Sequence, residues 1–315
     1  AIARAVRTDC FSMAAIASYP ELTCQPGNYH VGNTWGVYDT ILCPTPYTFN
    51  FYQNVLTEVM ELFPSHYIHI GGDEAPKVTW NNSAYCRALM KKLHLKDADE
   101  LQSYFINTME KFLNAHGRDI IGWDEILQGG LAPNATVMSW RGEAGGIAAA
   151  KMHHDVIMSP TTYLYFDYYQ SRAHDSLFIG GYLPLDKVYS YNPLPPELDS
   201  TEDTYIKGVQ ANMWTEYIAT PAKLEYQLFP RMEAAAEIAW TPQSERSYPD
   251  FVKRVETQFK RYDLWKVSYS RAMYELQGAP GERADHDGVD FSLKAPDVPG
   301  KIHYTTNGRE PDSHS

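Results

Sequence analysis

Short strand-like and helix-like segments alternate along this chain from about residue 48 to about residue 265. The strand-like segments are brief apolar runs at 66–70, 119–122, 136–139, 155–159 and 205–211. The segments with helical spacing of apolar residues lie at 48–63, 97–116, 144–152, 221–240 and 249–266. Such alternation is typical of a parallel α/β fold, because parallel strands need long crossovers that are usually helices.

Two residues are expected to shape the predicted helices. Gly117 follows the segment 97–116 and should cap its C-terminus, because glycine adopts the left-handed conformation without steric cost. Pro230 lies inside the segment 221–240 and is expected to kink it, because proline lacks the backbone N–H that a helix needs.

Aromatic and charged residues stand at the end of each predicted strand. They are Asp73-Glu74, Trp123-Asp124, Trp140-Arg141, Tyr165-Asp167 and Trp214-Glu216. In a (β/α)8 barrel all strand C-termini point to one face, and the site is built there. A doubly wound sheet would place its site at one switch point instead. We therefore predict an α/β fold of the (β/α)8 TIM-barrel type, with about five of the eight strands present.

The pair Asp73-Glu74 closes the string His69-Ile-Gly-Gly-Asp-Glu74. Adjacent carboxylates repel, so one tends to keep its proton at neutral pH. A protonated carboxyl beside an ionised one suits acid–base chemistry on a glycosidic bond. An Asp-Glu pair alone is more often the solvated start of a helix, where acidic residues favour the helix dipole.

Composition narrows the classes of partner. The net charge of −12 argues against nucleic acid and anionic membranes. No apolar run is long enough to span a bilayer, and residues 1–20 lack the layout of a signal peptide. The 23 tyrosines and 7 tryptophans are as typical of barrel cores as of sugar sites.

The four cysteines have no Cys-x-x-Cys spacing, so we predict neither a metal nor a redox site. Cys24 and Cys43 flank a loop-like segment. They would form a disulfide in an exported protein, and two buried thiols are the equal alternative. Asn81 and Asn134 each open a glycosylation acceptor triplet, which matters only in a eukaryotic secreted protein.

From about residue 277 the pattern changes. Gly278, Pro280 and Gly281 indicate a linker, and the alternating segments 289–293 and 301–306 indicate two or three strands of a small second domain. We therefore divide the chain into a partial barrel catalytic domain at 1–276 and a linker with a short β segment at 277–315.

Seven stretches resemble family-20 glycoside hydrolases, which are β-N-acetylhexosaminidases. They are 14–24, Tyr67-Ile-His-Ile-Gly-Gly-Asp-Glu-Ala-Pro-Lys77, Gly122-Trp-Asp-Glu125, Met138-Ser-Trp-Arg-Gly142, Tyr165-Phe-Asp167, Gln210-Ala-Asn-Met-Trp-Thr-Glu216 and Ala236-Glu-Ile-Ala-Trp-Thr-Pro242. The tail resembles the start of the β-sandwich module that often follows the barrel. The resemblance implies an exo-acting enzyme that removes terminal N-acetylglucosamine or N-acetylgalactosamine from oligosaccharides or glycoconjugates, exported from the cytoplasm and without metal or cofactor.

The resemblance also implies a role for each strand-end residue. The mechanism retains configuration and uses the 2-acetamido group of the substrate as nucleophile, through an oxazolinium ion. The implied catalytic residues are Glu74 as general acid and base, Asp73 as acceptor of the acetamido N–H, and Tyr165 as donor to the acetamido oxygen. The implied substrate-binding residues are Trp123, Trp140 and Trp214 around the sugar, and Asp167 and Glu216 on its hydroxyl groups.

The N-terminus departs from the family pattern. Three strands precede this region in the family, and they supply an arginine and a Pro-Gly-His turn. Residues 1–11 carry no such turn, and Phe11 stands where the histidine would be. An open five-stranded sheet would expose its edges, so we expect either an oligomer or a chain whose missing strands lie elsewhere. Two other functions stay open: an inactive fragment that binds N-acetylated sugars, and a glycosidase with two protein carboxylates, Glu74 and Glu125.

Overall fold

The computed structural model describes residues 12–312 except 26, 35, 173, 174, 176, 283–287 and 297–299. The expectations for residues 1–11, including Phe11, therefore lie outside the described residues. The chain forms two compact units. The first unit contains residues 1–161 and 193–210, and the second contains residues 162–192 and 211–315.

Eleven α-helices and seven strands are present in this described part of the chain. The helices are α1 (Ser12–Ser18), α2 (Pro46–Leu62), α3 (Val78–Asn82), α4 (Ala84–Leu93), α5 (Ala98–Ala115), α6 (Ala144–Lys151), α7 (Thr161–Leu164), α8 (Leu185–Tyr189), α9 (Pro221–Leu228), α10 (Arg231–Trp240) and α11 (Tyr248–Trp265). The strands are β1 (Tyr67–Gly71), β2 (Asp119–Trp123), β3 (Thr136–Ser139), β4 (Val156–Met158), β5 (Ile206–Val209), β6 (Gln277–Glu282) and β7 (Val289–Lys294).

The first unit holds a sheet of five parallel strands in the order β1-β2-β3-β4-β5. Neighbours in sequence are neighbours in the sheet, as in the wall of an α/β barrel. All four residues of β3 are buried, and so are both ends of β4. Helices cover parallel sheets on their faces, which explains why these strands read as continuous apolar runs. The predicted fold class is confirmed.

Helix α2 shows how the sequence sets the boundaries of these elements. Thr45 accepts a hydrogen bond from Thr48 N at 3.1 Å, and Pro46 follows at the first helical position. Both are typical of a helix N-terminus, since the cap satisfies an orphan N–H and proline needs none. The buried side of the helix includes Phe49, Tyr52 and Leu56.

The predicted single helix at 221–240 is wrong. Two helices, α9 and α10, replace it, and they are separated by Phe229 and a cis Phe229-Pro230 bond. Pro230 ends the helix rather than kinking it, because its ring clashes with the preceding turn and it has no N–H to donate. Phe229 takes an extended conformation, which the residue before a proline favours.

The tail in the second unit differs from the predicted pattern in two places. The segment predicted as linker begins with strand β6, which pairs in antiparallel fashion with β7. The segment 301–306 was expected to be a strand and has no strand structure, although all its residues are described. Every residue of β6 and β7 is exposed. The division into domains at residue 276 stays a prediction.

Of the two alternatives for Cys24 and Cys43, the structure has the disulfide. The third described cysteine that lies nearby, Cys86, has a buried thiol 3.2 Å from the sulfur of Cys24. No helix in the described residues is both long and apolar enough to cross a membrane.

Candidate active site

The backbone turns sharply where β1 ends. Gly71, Gly72 and Glu74 all have positive φ, at 78°, 92° and 48°. Glycine adopts these angles readily, but a glutamate rarely does. A non-glycine residue held in this conformation costs about 1–3 kcal/mol and persists only where the surrounding structure fixes it. The conformation of Glu74 therefore marks this turn as a candidate functional site.

The turn gives two adjacent carboxylates opposite environments. Asp73 is buried, with 3% of its surface exposed, whereas Glu74 is exposed. On a regular strand the side chains of adjacent residues point to opposite faces. Here the left-handed conformation of Glu74 also changes the direction of the chain after Asp73. One carboxylate can thus hold a fixed position while its neighbour reaches a substrate from solvent.

Close packing explains the glycines at this end of the sheet. A Cβ on Gly72 would lie 2.6 Å from the Cγ2 atom of Ile126, and a Cβ on Gly122 would lie equally close to the same methyl. Real Cβ atoms do not approach so near, so an alanine at either position would force Ile126 to move. The two glycines let β1 and β2 end against one buried side chain.

Aromatic rings lie beside this turn. Trp123, at the end of β2, is buried and packs edge-on against His69, with ring centroids 5.0 Å apart. The ring of Trp140 lies 6.3 Å from that of Trp123 at an angle of 71°. The N–H of Gly71 donates to Nδ1 of His69 at 3.1 Å, which fixes the orientation of the imidazole. The first unit thus carries an indole pair next to the Asp73-Glu74 turn.

A buried acidic pair follows Trp123 and contacts Trp140. Asp124 and Glu125 open a 3-10 turn directly after β2, and both are buried. Arg141 donates from Nε to Oδ1 of Asp124 at 2.8 Å, and Nε also lies 3.6 Å from Oε1 of Glu125. Nε1 of Trp140 donates to Oε2 of Glu125 at 2.9 Å. The acidic pair therefore connects the residues that follow β3 with those that follow β2.

Burial raises the pKa of Glu125 to about 7. The nearby charge of Asp124 acts in the same direction as burial, whereas the hydrogen bond from Trp140 and the charge of Arg141 act to lower this pKa. A carboxyl with such a pKa exchanges its proton near neutral pH. Perturbed carboxyls cluster at functional sites, although structural networks produce them as well.

The second unit carries the other strand-end residues. Tyr165 forms a parallel bridge with Asn212, and the ring of Trp214 lies 6.3 Å from that of Tyr165. Both Tyr165 and Asp167 are buried, whereas Glu216 is exposed. The two segments predicted to end in site residues, 165–167 and 212–216, are thus neighbours within this unit.

Arg231 fixes the loop that carries Tyr165 and Asp167. Its side chain is fully buried and lies over the ring of Phe166, 4.9 Å from the centroid. Among the residues described in the structure, the guanidinium donates to the backbone carbonyls of Phe166, Tyr168, Leu183 and Gln227. Burial lowers the pKa of Arg231, and the charges of Asp175 and Asp167 act in the opposite direction. The loop geometry therefore depends on one buried cation.

Asp167 is the second carboxyl with a strongly raised pKa. Burial, with the charge of Glu216, raises it to about 7 against the opposing effect of Arg231. Its Oδ1 atom is buried and has no hydrogen-bond partner among the described residues. A buried acceptor without a donor is costly, so this oxygen is available to a hydroxyl group of a ligand.

The predicted site residues thus fall into two groups, one in each unit. Asp73, Glu74, Trp123 and Trp140 belong to the first unit, and the remaining four belong to the second. Sequence reasoning missed the positioning contacts: it weighed Glu125 only as a second catalytic carboxylate and did not single out Arg231. A lone arginine after Pro230 in an apolar helix was the available signal for the latter.

One group of side chains has the composition of a metal site. The sulfurs of Cys24, Cys43 and Cys86 lie within 4.8 Å of one another among the described residues. Two of them are joined as the disulfide, so the cluster offers a single thiol in this state. The strand-end carboxylates are not part of that cluster.

Carboxylates and indoles at the C-terminal ends of parallel strands occupy the place where an α/β barrel builds its active site. Residues 9–243 match the model of glycosyl hydrolase family 20, catalytic domain, and the chain belongs to this family. It is 45% identical over 308 residues to a β-hexosaminidase of Porphyromonas gingivalis, covering 95% of this chain and 39% of that protein. It is 36% identical to a β-hexosaminidase of Vibrio furnissii, covering 71% and 38%.

Solved structures show the same similarity. The GH20 exo-β-N-acetylglucosaminidase from Vibrio harveyi, in complex with N-acetylglucosamine, superposes with a TM-score of 0.73 at 31% identity. The match covers 82% of this chain and 42% of that one. A chitobiase from Flavobacterium johnsoniae gives a TM-score of 0.72 at 28% identity over 85% and 40% of the two chains. The chain thus spans about two fifths of the length of these relatives.

Proposed function

We propose that this protein is an exo-β-N-acetylhexosaminidase that hydrolyses terminal N-acetylglucosamine or N-acetylgalactosamine. The observation that carries the proposal is the turn after β1, where a buried Asp73 precedes an exposed Glu74 in a left-handed conformation. It lies in a chain of family 20, and relatives at 45% and 36% identity are named β-hexosaminidases.

The reaction is substrate-assisted and retains configuration. The 2-acetamido oxygen attacks the anomeric carbon while Glu74 protonates the departing glycosidic oxygen, which gives an oxazolinium ion and a free aglycone. Glu74, now ionised, then removes a proton from a water molecule that opens the oxazolinium ion. The exposed position of Glu74 supports this role, because the carboxyl must reach both the leaving group and water.

Asp73 accepts the acetamido N–H and stabilises the positive charge that develops on this group. Its burial supports the role, because a carboxylate in a site with little water interacts more strongly with a developing charge. Its position is also fixed by the turn at Gly71 and Gly72, so it needs little reorganisation during the reaction.

The remaining roles follow the family resemblance. Trp123 and Trp140 form apolar walls for the acetamido group and the sugar ring, and Trp214 stacks on the sugar. Tyr165 donates to the acetamido oxygen. Asp167 and Glu216 accept hydrogen bonds from sugar hydroxyl groups, and the buried Oδ1 of Asp167 supports that part of the proposal.

Hydrolysis of a chromogenic N-acetylglucosaminide tests the proposal. Glu74→Gln should lower kcat by at least about a hundredfold, because general acid–base catalysis contributes 10²–10⁴-fold. Glu58→Gln, on the exposed side of α2, is the matched control and should retain full activity. No turnover by the protein, or turnover that survives Glu74→Gln, would contradict the proposal and favour a fragment that only binds sugar.

A thiazoline analogue of the oxazolinium ion separates the two glycosidase mechanisms. It should inhibit strongly if the substrate supplies the nucleophile, because it mimics the bound intermediate. It should inhibit weakly if Glu74 and Glu125 act as two protein carboxylates. Turnover with weak thiazoline inhibition would therefore favour the second mechanism.

We also propose that the protein is exported and forms an oligomer. The disulfide between Cys24 and Cys43 supports export, because such bonds persist in oxidising compartments. Strands β1 and β5 each pair with one neighbour among the described residues, and open edges favour pairing with other chains. Detection in the cytoplasm would contradict the first idea, and a monomer in size-exclusion chromatography would contradict the second.

A further inference from the structure

A short hydrogen-bonded network fixes the indole N–H of Trp140. Oε2 of Glu125 accepts from its Nε1 at 2.9 Å, and the backbone oxygen of Glu125 accepts from Nε2 of Gln102 at 3.0 Å. Gln102 and Glu125 are both buried. The indole can therefore rotate only if it abandons a buried acceptor, which makes rotation costly.

The acidic pair is in turn fixed on its other side. Oδ1 of Asp124 accepts from Nε of Arg141 at 2.8 Å. Its side chain packs against the N-terminus of α6, where a Cβ on Gly145 would lie 2.6 Å from that of Asp124. Since Asp124 precedes Glu125 in one 3-10 turn, these contacts fix the backbone that carries Glu125.

We propose that Glu125 is a positioning residue that holds Trp140 in the orientation required for sugar binding, without touching substrate itself. The inference rests on the proposed function, in which Trp140 is a wall of the sugar site. It assigns to Glu125 a task different from that of a second catalytic carboxylate. Its carboxyl is occupied by the indole N–H and lies near the guanidinium of Arg141.

The network also makes the hold on Trp140 depend on pH. The charged groups that face Glu125 are Asp124 on its own turn, Arg141 after β3, and Lys77 before α3. Burial is the main cause that raises the pKa of Glu125 to about 7; the charge of Asp124 acts in the same direction and that of Arg141 opposes it. An ionised carboxylate accepts a stronger hydrogen bond than a neutral carboxyl, so Trp140 should be held more firmly above neutral pH.

The first test observes Trp140 directly and needs no turnover. The indole Nε1–H resonances of the protein with ¹⁵N-labelled tryptophan are followed from pH 5 to pH 9, and Trp140→Phe identifies the signal. In the unmodified protein the Trp140 signal should shift with a midpoint near 7, and Glu125→Gln should abolish the shift. A Trp140 signal unchanged by Glu125→Gln would overturn the proposal even in a fully active enzyme.

The second test separates positioning from catalysis. Glu125→Leu should raise KM by about ten- to a hundredfold, the value of one charge-assisted hydrogen bond, with kcat nearly unchanged. Glu125→Gln should recover most of the affinity, because its amide oxygen can accept from the indole. In a Trp140→Phe background, which lacks the N–H, Glu125→Leu should add nothing further.

Two results bear on the proposal in different ways. A fall in kcat that persists in the Trp140→Phe background would mean that Glu125 acts on the substrate, and it would overturn the proposal. Absence of turnover in the unmodified protein contradicts the proposed function, while the resonance test still decides the contact between Glu125 and Trp140. Since Glu125→Leu buries an apolar group in a polar network, thermal unfolding of both Glu125→Leu and Glu125→Gln checks that the comparison uses folded protein.

Discussion

The raised pKa of Glu125 makes the stability of the fold depend on pH. The pKa rises from 4.5 to about 7 on folding, mainly because the carboxyl is buried. Between these values the unfolded chain loses the proton while the folded chain keeps it. The free energy of unfolding therefore falls as pH rises from 4.5 to about 7, and the loss is complete above that range.

The magnitude follows from the two pKa values. One unit corresponds to about 1.4 kcal/mol, so the shift of Glu125 from 4.5 to about 7 amounts to about 3 kcal/mol. Glu125→Gln has the same shape and does not titrate, so it removes this loss. Asp167 has a pKa raised in the same direction, but it is present in both proteins and its effect cancels in their difference.

Urea unfolding at pH 4.5, 6 and 8 measures the effect. The difference in unfolding free energy between Glu125→Gln and the unmodified protein should move by up to about 3 kcal/mol in favour of the variant from pH 4.5 to pH 8. Glu58→Gln, an exposed control, should follow the unmodified protein throughout. Parallel pH profiles for Glu125→Gln and the unmodified protein would show that Glu125 does not cause the pH dependence.

Two further perturbations test the packing around the site. Arg231→Met should destabilise the second unit by about 2–5 kcal/mol, because the buried carbonyls of Phe166 and Leu183 lose their hydrogen-bond donor. Urea unfolding measures the loss of stability, and hydrogen exchange at residues 166–168 measures the loss of local protection. Unchanged protection of residues 166–168 would contradict this prediction. Gly145→Ala should destabilise the fold by about 1–2 kcal/mol, because the clash with Asp124 outweighs the gain in helix propensity. Thermal unfolding measures the change, and a variant more stable than the unmodified protein would show that the turn at Asp124 moves to accommodate the methyl group.

Much of the architecture could be predicted from local patterns. Short apolar runs and strand-end residues located all five parallel strands, because strands of a parallel sheet covered by helices are rich in apolar residues. The break at Pro230 was misjudged, since the sequence does not tell whether a proline kinks a helix or ends it. A strand was also wrongly predicted at 301–306. Alternating apolar and polar residues favour a strand, but the strand forms only where a second strand is available to pair with it.

The site was predictable to a more limited extent. The carboxylates of Asp73 and Glu74 were recognisable, but their opposite exposure depends on the backbone turn. The contact between Glu125 and Trp140 joins residues that follow different strands, so it depends on how β2 and β3 are aligned. Arg231 lies 65 residues from Phe166, and only the packing of α10 brings them together. Long-range partners of this kind leave no local pattern.

The positive φ angles of Gly71, Gly72 and Glu74 have a consequence for mutational scanning. Most substitutions in this segment would abolish activity by breaking the backbone turn, whatever the chemistry of the side chain that is lost. Loss of activity on substitution in this segment would therefore report the conformational cost of the new residue, and a conformationally required residue would be mistaken for a catalytic one. Only replacements that keep the side-chain shape, such as Asp73→Asn and Glu74→Gln, separate the two contributions.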